Sequence, residues 1–177
     1  MSHPMLYLRR GLGAELLKYQ RTPALLLAIG APFLIVLLNF CIFYFKGHVF
    51  LQPKKDPWLE FWLNNLYPTT QVLFPLYVIL VTVLIHQLEH QAHTMKLIYA
   101  LPMPKWTVYL GKVILTLFLT ALSILLFAFF ILLAGKLLGI FKPDLRFGRY
   151  DPRLGEGLGI VLRVYLASLA MVALQFW

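Results

Sequence analysis

The residues of this chain best suited to chemistry lie between His86 and Lys112, HQLEHQAHTMKLIYALPMPKWTVYLGK. His86, Glu89 and His90 fit an H-x-x-E-H pattern, in which two imidazoles one helical turn apart hold zinc and the carboxylate activates a water. His93 adds a third imidazole. On a helix, at about 100° per residue, His86, Glu89, His90, His93 and Lys96 share one face. Leu88, Ala92, Met95 and Tyr99 share the other. A zinc site would need a further carboxylate. The downstream acids Asp144, Asp151 and Glu156 belong to a loop that a four-span path puts on the opposite surface. The stretch therefore reads better as a short amphipathic helix with a solvated polar face, and a membrane-embedded zinc peptidase stays as the rival. Gly111-Lys112 and Gly135-Lys136 are followed by Val113 and Leu137, where a phosphate loop needs Ser or Thr, so neither builds one. No Ser-His-Asp arrangement is legible.

The elements around this stretch are apolar. Of 177 residues 60% are hydrophobic and 13% charged, and the mean hydropathy is +0.77. A soluble domain needs more polar surface, so the composition is that of a membrane protein. The net charge of +9 sits in short segments between apolar runs. There it sets topology or meets anionic headgroups and is not a nucleic-acid footprint. Cys41, the single cysteine, lies in an apolar run and acts as a small hydrophobe.

Residues 5–20 read as an amphipathic helix in the interface plane, with Met5, Leu8, Leu12, Leu16 and Tyr19 as its stripe. Thr22 to Phe45 carries no charge, and about 20 residues cross a bilayer. Pro23 suits the first helical turn, Pro32 should kink this first span, and Asn39 should face another helix. Asp56-Pro57 is a helix N-cap with proline at the first position. Trp58, Phe61 and Trp62 form an aromatic cluster expected to anchor at the headgroups. Asn64, Asn65, Thr69, Thr70 and Gln71 either line a polar pathway or mark the wet end of span two, the second being favoured, and Pro75 should bend that span. Val113 to Ala134, between Lys112 and Lys136, is the clearest span. Gly157 to Trp177 makes a fourth, with Arg163 expected to snorkel to the nearer surface.

The expected fold is all-α: one polytopic transmembrane domain over 1–177, with spans at about 23–45, 66–86, 106–135 and 157–177 and a connecting helix at about 86–100. Span four has no charged flank after it, so the chain is expected to be the front of a longer membrane protein. Charge counting leaves topology open. With the N-terminus inside, Arg9, Arg10, Lys18, Arg21, Lys96, Lys105 and Lys112 give seven inside charges. Lys46, Lys54, Lys55, Lys136, Lys142, Arg146, Arg149 and Arg153 give eight outside.

Glu89 to Lys105, EHQAHTMKLIYALPMPK, followed by Gly111-Lys112, resembles the cytoplasmic loop of type-2 ABC transporter permeases. The likeness is to the lantibiotic-immunity and multidrug export subgroup. Glu89, Thr94, Leu101, Pro102, Lys105 and Lys112 occupy the places of that loop's motif, while His93 stands where a glycine is usual. The run from Lys18 to Ala24 is similar to that family too. The resemblance implies a six-span permease, of which these are the first four spans, in a bacterial cell membrane with a cytoplasmic N-terminus. It implies an ATP-driven exporter of a hydrophobic or peptide-like substrate. The permease would pair with a second permease subunit, alike or different, and with separate ATP-binding-cassette ATPase subunits. Glu89, His90, His93, Thr94, Lys96, Pro102 and Lys105 would form the coupling surface for the ATPase. The permease itself would have no catalytic residue, cofactor or metal. A non-transporting membrane scaffold is the remaining rival. The substrate, the direction of transport and the choice of homo- or heterodimer are not legible.

Overall fold

The computed structural model describes residues 23–51, 56–91 and 105–177, with side chains at 23–51, 56–87 and 109–177. The expected interfacial helix at 5–20 and the stretch 92–104 lie outside the described residues.

The elements in order are α1 (Pro23–Phe50), α2 (Pro57–Pro68), a π turn (Thr69–Leu73), α3 (Phe74–Gln91), α4 (Lys105–Phe141), two 3-10 turns (Pro143–Leu145 and Phe147–Arg149) and α5 (Leu154–Gln175). Among the described residues there is no strand. The fold is all-α, with four helical stretches long and apolar enough to cross a membrane: Pro23–Phe50, Pro57–Gln87, Tyr109–Phe141 and Leu154–Gln175. They alternate in direction. Residues 50, 57, 141 and 154 gather at one end of the bundle, here the aromatic end. Residues 23, 91, 105 and 175 gather at the other, here the histidine end. At about 1.5 Å per residue α4 is about 55 Å long, well beyond a hydrocarbon layer of about 30 Å.

The core forms where small or branched residues recur at helical spacing. Ala24, Ala28, Pro32 and Val36 are buried on α1, which packs most extensively on α4. On α4 the buried residues include Leu119, Ile124, Phe127, Ile131 and Leu138, and Phe130 meets Phe33 of α1 edge to face. The outside is apolar as well: Leu26, Leu34, Leu38 and Phe45 are exposed on α1 alone. Such a surface suits lipid, which is as apolar as leucine. Several buried threonine and serine hydroxyls go to backbone carbonyls of their own helix. Thr82 donates to Val78 O, Thr116 to Lys112 O, Thr120 to Thr116 O and Ser168 to Tyr165 O. Without water such groups must find partners inside the protein.

The prolines act unequally. Pro32 sits buried inside α1, and the non-helical residue of that helix is Lys46 (φ −125°, ψ 19°). The second span was expected to bend at Pro75, and it departs from α geometry just before that proline, at Thr69–Leu73. Pro75 has no N–H, and its ring crowds the carbonyl four residues back, Gln71. The helix widens there, and Phe74 N–H bonds to Thr69 O, five residues back. Asn39 turns its amide onto its own helix, donating to Ile35 O at 3.1 Å. Arg163 lies exposed on α5.

Candidate functional site

Three places on this scaffold hold the chemistry the chain has. The first is the aromatic end. Asp56 caps α2 by accepting from Trp58 N at 3.0 Å, with Pro57 in the first turn. That fixes the start of α2 so that Trp58, Phe61 and Trp62 turn inward, each at most 2% exposed. This corrects the expectation of headgroup anchors: the rings are spent on protein. Trp58 Nε1 donates to Phe147 O at 3.0 Å and Trp62 Nε1 to Pro152 O at 3.1 Å. Phe147 meets Trp58 and Phe61 edge to face, and Phe61 meets Phe43 of α1 likewise. Each indole lies against a glycine. A Cβ on Gly157 would come within 2.6 Å of Trp62, and one on Gly135 closer still to Trp58. Arg153, at φ 47°, reaches back from the cap of α5 to Asp56 Oδ2 at 2.6 Å and to Glu156 Oε1 at 2.7 Å. The bond to Asp56, then the Glu156 carboxylate, hold its guanidinium pKa above the ordinary value.

The second place is a half-open cavity of about 250 Å³ between the helices, with Leu34, Leu76 and Leu80 at its exposed margin. Its walls come from all four spans, among them Ala31 of α1, Thr69 of the π turn, Tyr77 of α3, Ser123 and Phe127 of α4 and Val164 of α5. The hydroxyls around it are spent. Thr69 donates to Asn65 O, Thr70 to Tyr67 O and Tyr77 to Leu119 O, and Ser123 hydrogen-bonds the Tyr77 phenol. What remains is hydrocarbon wall, in a volume larger than the roughly 150 Å³ that holds benzene in an apolar protein cavity.

The third place is the histidine end, where α3, α4 and α5 meet at three rings. His86 Nδ1 lies 2.8 Å from Thr82 O, and its ring lies 5.1 Å from that of Phe176. Tyr109 OH donates to Phe176 O at 2.7 Å, with its ring edge-on to Phe176. The node flanks both ends of the 92–104 stretch.

A family model described as ABC-2 family transporter protein matches residues 12–177. The chain belongs to the ABC-2 transporter family. No match was found among curated proteins or among solved structures. The permease-family reading of the Glu89–Lys105 loop thus has its coarse form: this ABC-2 family member is a multi-pass membrane protein, a transport component of its system.

The proposed coupling residues of this ABC-2 member fall largely outside the described structure. His93, Thr94, Lys96 and Pro102 lie in the undescribed stretch. For Glu89, His90 and Lys105 the helices α3 and α4 are described but the side chains are not. His86 of the zinc pattern is described, held by Thr82 and Phe176. Among the described residues no group of three metal-ligating side chains gathers.

Sequence reasoning missed the two indole-to-carbonyl bonds and the cavity. One signal was present. Gly135, set aside when Gly135-Lys136 failed as a phosphate loop, is where Trp58 approaches α4. Asn65 and Thr69, read as the wet end of span two, are buried, and Thr69 faces the cavity.

Proposed function

We propose that this chain is the membrane-spanning permease subunit of an ATP-driven exporter of the lantibiotic-immunity and multidrug export kind. A separate ATP-binding-cassette subunit would hydrolyse ATP, and a second permease subunit would complete the transmembrane unit. The N-terminus and the 86–112 stretch would be cytoplasmic, in a bacterial cell membrane, with 46–60 and 141–156 outside. Glu89, His90, His93, Thr94, Lys96, Pro102 and Lys105 would meet the ATPase.

One observation supports this coupling most directly. The two helices that flank the 92–104 stretch are also walls of the cavity. α3 runs from Phe74 and Tyr77 in the wall to Gln91, and α4 from Lys105 to Ser123 and Phe127 in the wall. A push on the stretch would reach the cavity along two continuous helices, the rigid-body route by which docking elements move a bundle. The cavity, with its hydroxyls spent, suits the hydrophobic part of a substrate.

Glu89→Ala tests the coupling. An exposed surface change should cost the fold only about 0.5 kcal/mol or less. Loss of one partner of an interfacial charge pair costs about 2–5 kcal/mol of binding. The variant should fold normally in detergent yet lose the co-purifying ATPase or its stimulation. A variant that unfolds while ATPase binding per folded molecule stays normal makes Glu89 structural. Cysteines at Gln91 and Arg149, probed on intact cells with an impermeant thiol reagent, test the topology. Labelling at 91 with none at 149 would sink the reading.

A further inference from the structure

We propose that α2 is a lid over the cavity, latched to the 142–153 loop at its tip and hinged at the π turn. The proposal rests on the permease reading for the use of the lid, and on the structure alone for its existence. From the aromatic end inward, the second span carries the latch residues 56–62, then Asn65 and Leu66, then the cavity wall from Leu66 onward. Anything passing from the cavity to the aromatic end has α2 in its way: Phe61, Trp62, Asn65 and Leu66 are all buried, none more than 3% exposed.

The hinge is written in the backbone. Pro68 and Pro75 bracket Thr69–Leu73, the one stretch of the second span that leaves α geometry. A π turn between α segments carries an extra residue and a misaligned hydrogen-bond ladder, so bending there breaks less than bending elsewhere. Thr69 and Leu73 of that turn line the cavity, so a swing of α2 would alter the cavity as it uncovers it.

The polar part of the latch is made of contacts that water can replace, beside the ring contacts of Trp58 and Phe61 with Phe147. Two indole N–H groups meet two loop carbonyls, and a half-exposed guanidinium meets a carboxylate. The indoles lie close against Gly135 and Gly157, and Trp58 also meets Phe147 edge to face. The lid also holds a group that gains by opening. Asn65 is fully buried, its amide N–H donates to Phe61 O, and its Oδ1 has no hydrogen-bond partner among the described residues. A buried acceptor without a donor favours whatever state brings it water.

Hydrogen exchange on the whole chain in detergent, read by mass spectrometry, tests the lid without any partner. Residues 57–68 should exchange as a unit, faster than 74–87 and 110–140, with the boundary inside 69–73. Trp62→Phe, which keeps one aromatic ring but deletes the bond to Pro152 O and part of the packing on Gly157, should speed that unit by at least about 2- to 10-fold, the loss of one hydrogen bond. Asn65→Leu should slow it. Residues 110–140 should not change in either variant. Equal exchange across 57–87, or variants that shift every helix together, would overturn the proposal.

A second arm tests its use. Asp56→Cys and Arg153→Cys in a Cys41→Ser background, bridged by a short bifunctional thiosulfonate, should stop ATP-driven transport in proteoliposomes holding the ATPase subunit. Reductant should restore it. Wild-type transport by the bridged protein means that α2 is not a lid on the path. If the unbridged protein, tested within the full-length permease together with its ATPase, shows no ATP-driven transport, the permease reading fails, and the exchange result alone decides whether α2 moves.

Discussion

The two ends of the bundle are joined in opposite ways. At the aromatic end, residues some ninety positions apart are tied by two buried indole bonds, an ion pair and a chain of edge-to-face rings. At the histidine end, the described contacts among α3, α4 and α5 include a node of three rings, His86, Tyr109 and Phe176. Between them lies the cavity. The difference teaches where motion has to be driven and where it has only to be passed on. A closure built from several cooperating contacts opens only when energy is supplied. A node of rings held by two hydrogen bonds to backbone carbonyls can re-form after helices shift. Such an arrangement suits a machine that receives work at one end and opens at the other.

The largest break in this comparison is Trp58→Ala. The residue is 2% exposed, donates to Phe147 O and packs on Gly135. Truncating a buried tryptophan costs about 3–5 kcal/mol, and here it also strands a carbonyl. The protein should denature at much lower temperature in detergent, or fail to accumulate. A variant of normal stability would mean the aromatic end is not the firmly closed one. At the other end, Tyr109→Phe removes the hydroxyl on Phe176 O and keeps the ring. Its cost should be that of one hydrogen bond, about 0.5–1.5 kcal/mol. In proteoliposomes with the ATPase it should lower transported substrate per ATP while thermal stability stays near normal. A stability loss matching Trp58→Ala would make the two ends alike and remove the contrast.

The contrast was only half legible in the sequence. Long charge-free runs bounded by lysines gave the helical spans, because the length a bilayer demands is a local property. Asp56-Pro57 announced the start of α2 for the same reason: a cap and a proline act on neighbouring backbone. Pro75 announced a bend but not its form, since a π turn depends on how the freed carbonyls find new donors. Trp58 and Trp62 were misread as headgroup anchors because an interfacial and a buried tryptophan look identical in sequence. What separates them is a carbonyl about ninety residues away and a glycine on another helix. Asn65 was misread for a related reason. Its amide N–H is satisfied by Phe61 O, four residues back, which lets a polar side chain be buried where a sequence rule expects water. The residues from His93 to Pro102 that we propose for coupling lie outside the described residues, so their legibility rests with the tests above.

The smallest expected effect concerns the ion pair of the latch. Arg153 offers Nε to Asp56 and Nη1 to Glu156, two directions at once. Lysine, a compact ammonium on a flexible stem, has no such fork. Yet the pair is partly open to water, with the arginine side chain 41% exposed, and exposed pairs contribute little. Arg153→Lys should therefore lower the melting temperature in detergent by less than Tyr109→Phe does. The sign with pH follows from the guanidinium. Its folded pKa lies above the ordinary arginine value, so its contribution is fully present below that value and is lost only as pH climbs through the still higher folded one. The difference between wild type and variant should be flat between about pH 6 and 9 on the arginine's account. It should shrink with salt, as the screening length falls from about 10 Å at 0.1 M to about 3 Å at 1 M. A large loss, insensitive to salt, would shift the weight of the latch from the indoles to the ion pair. The aromatic end would then be held by charge, and the comparison with the histidine end would have to be drawn in electrostatic terms.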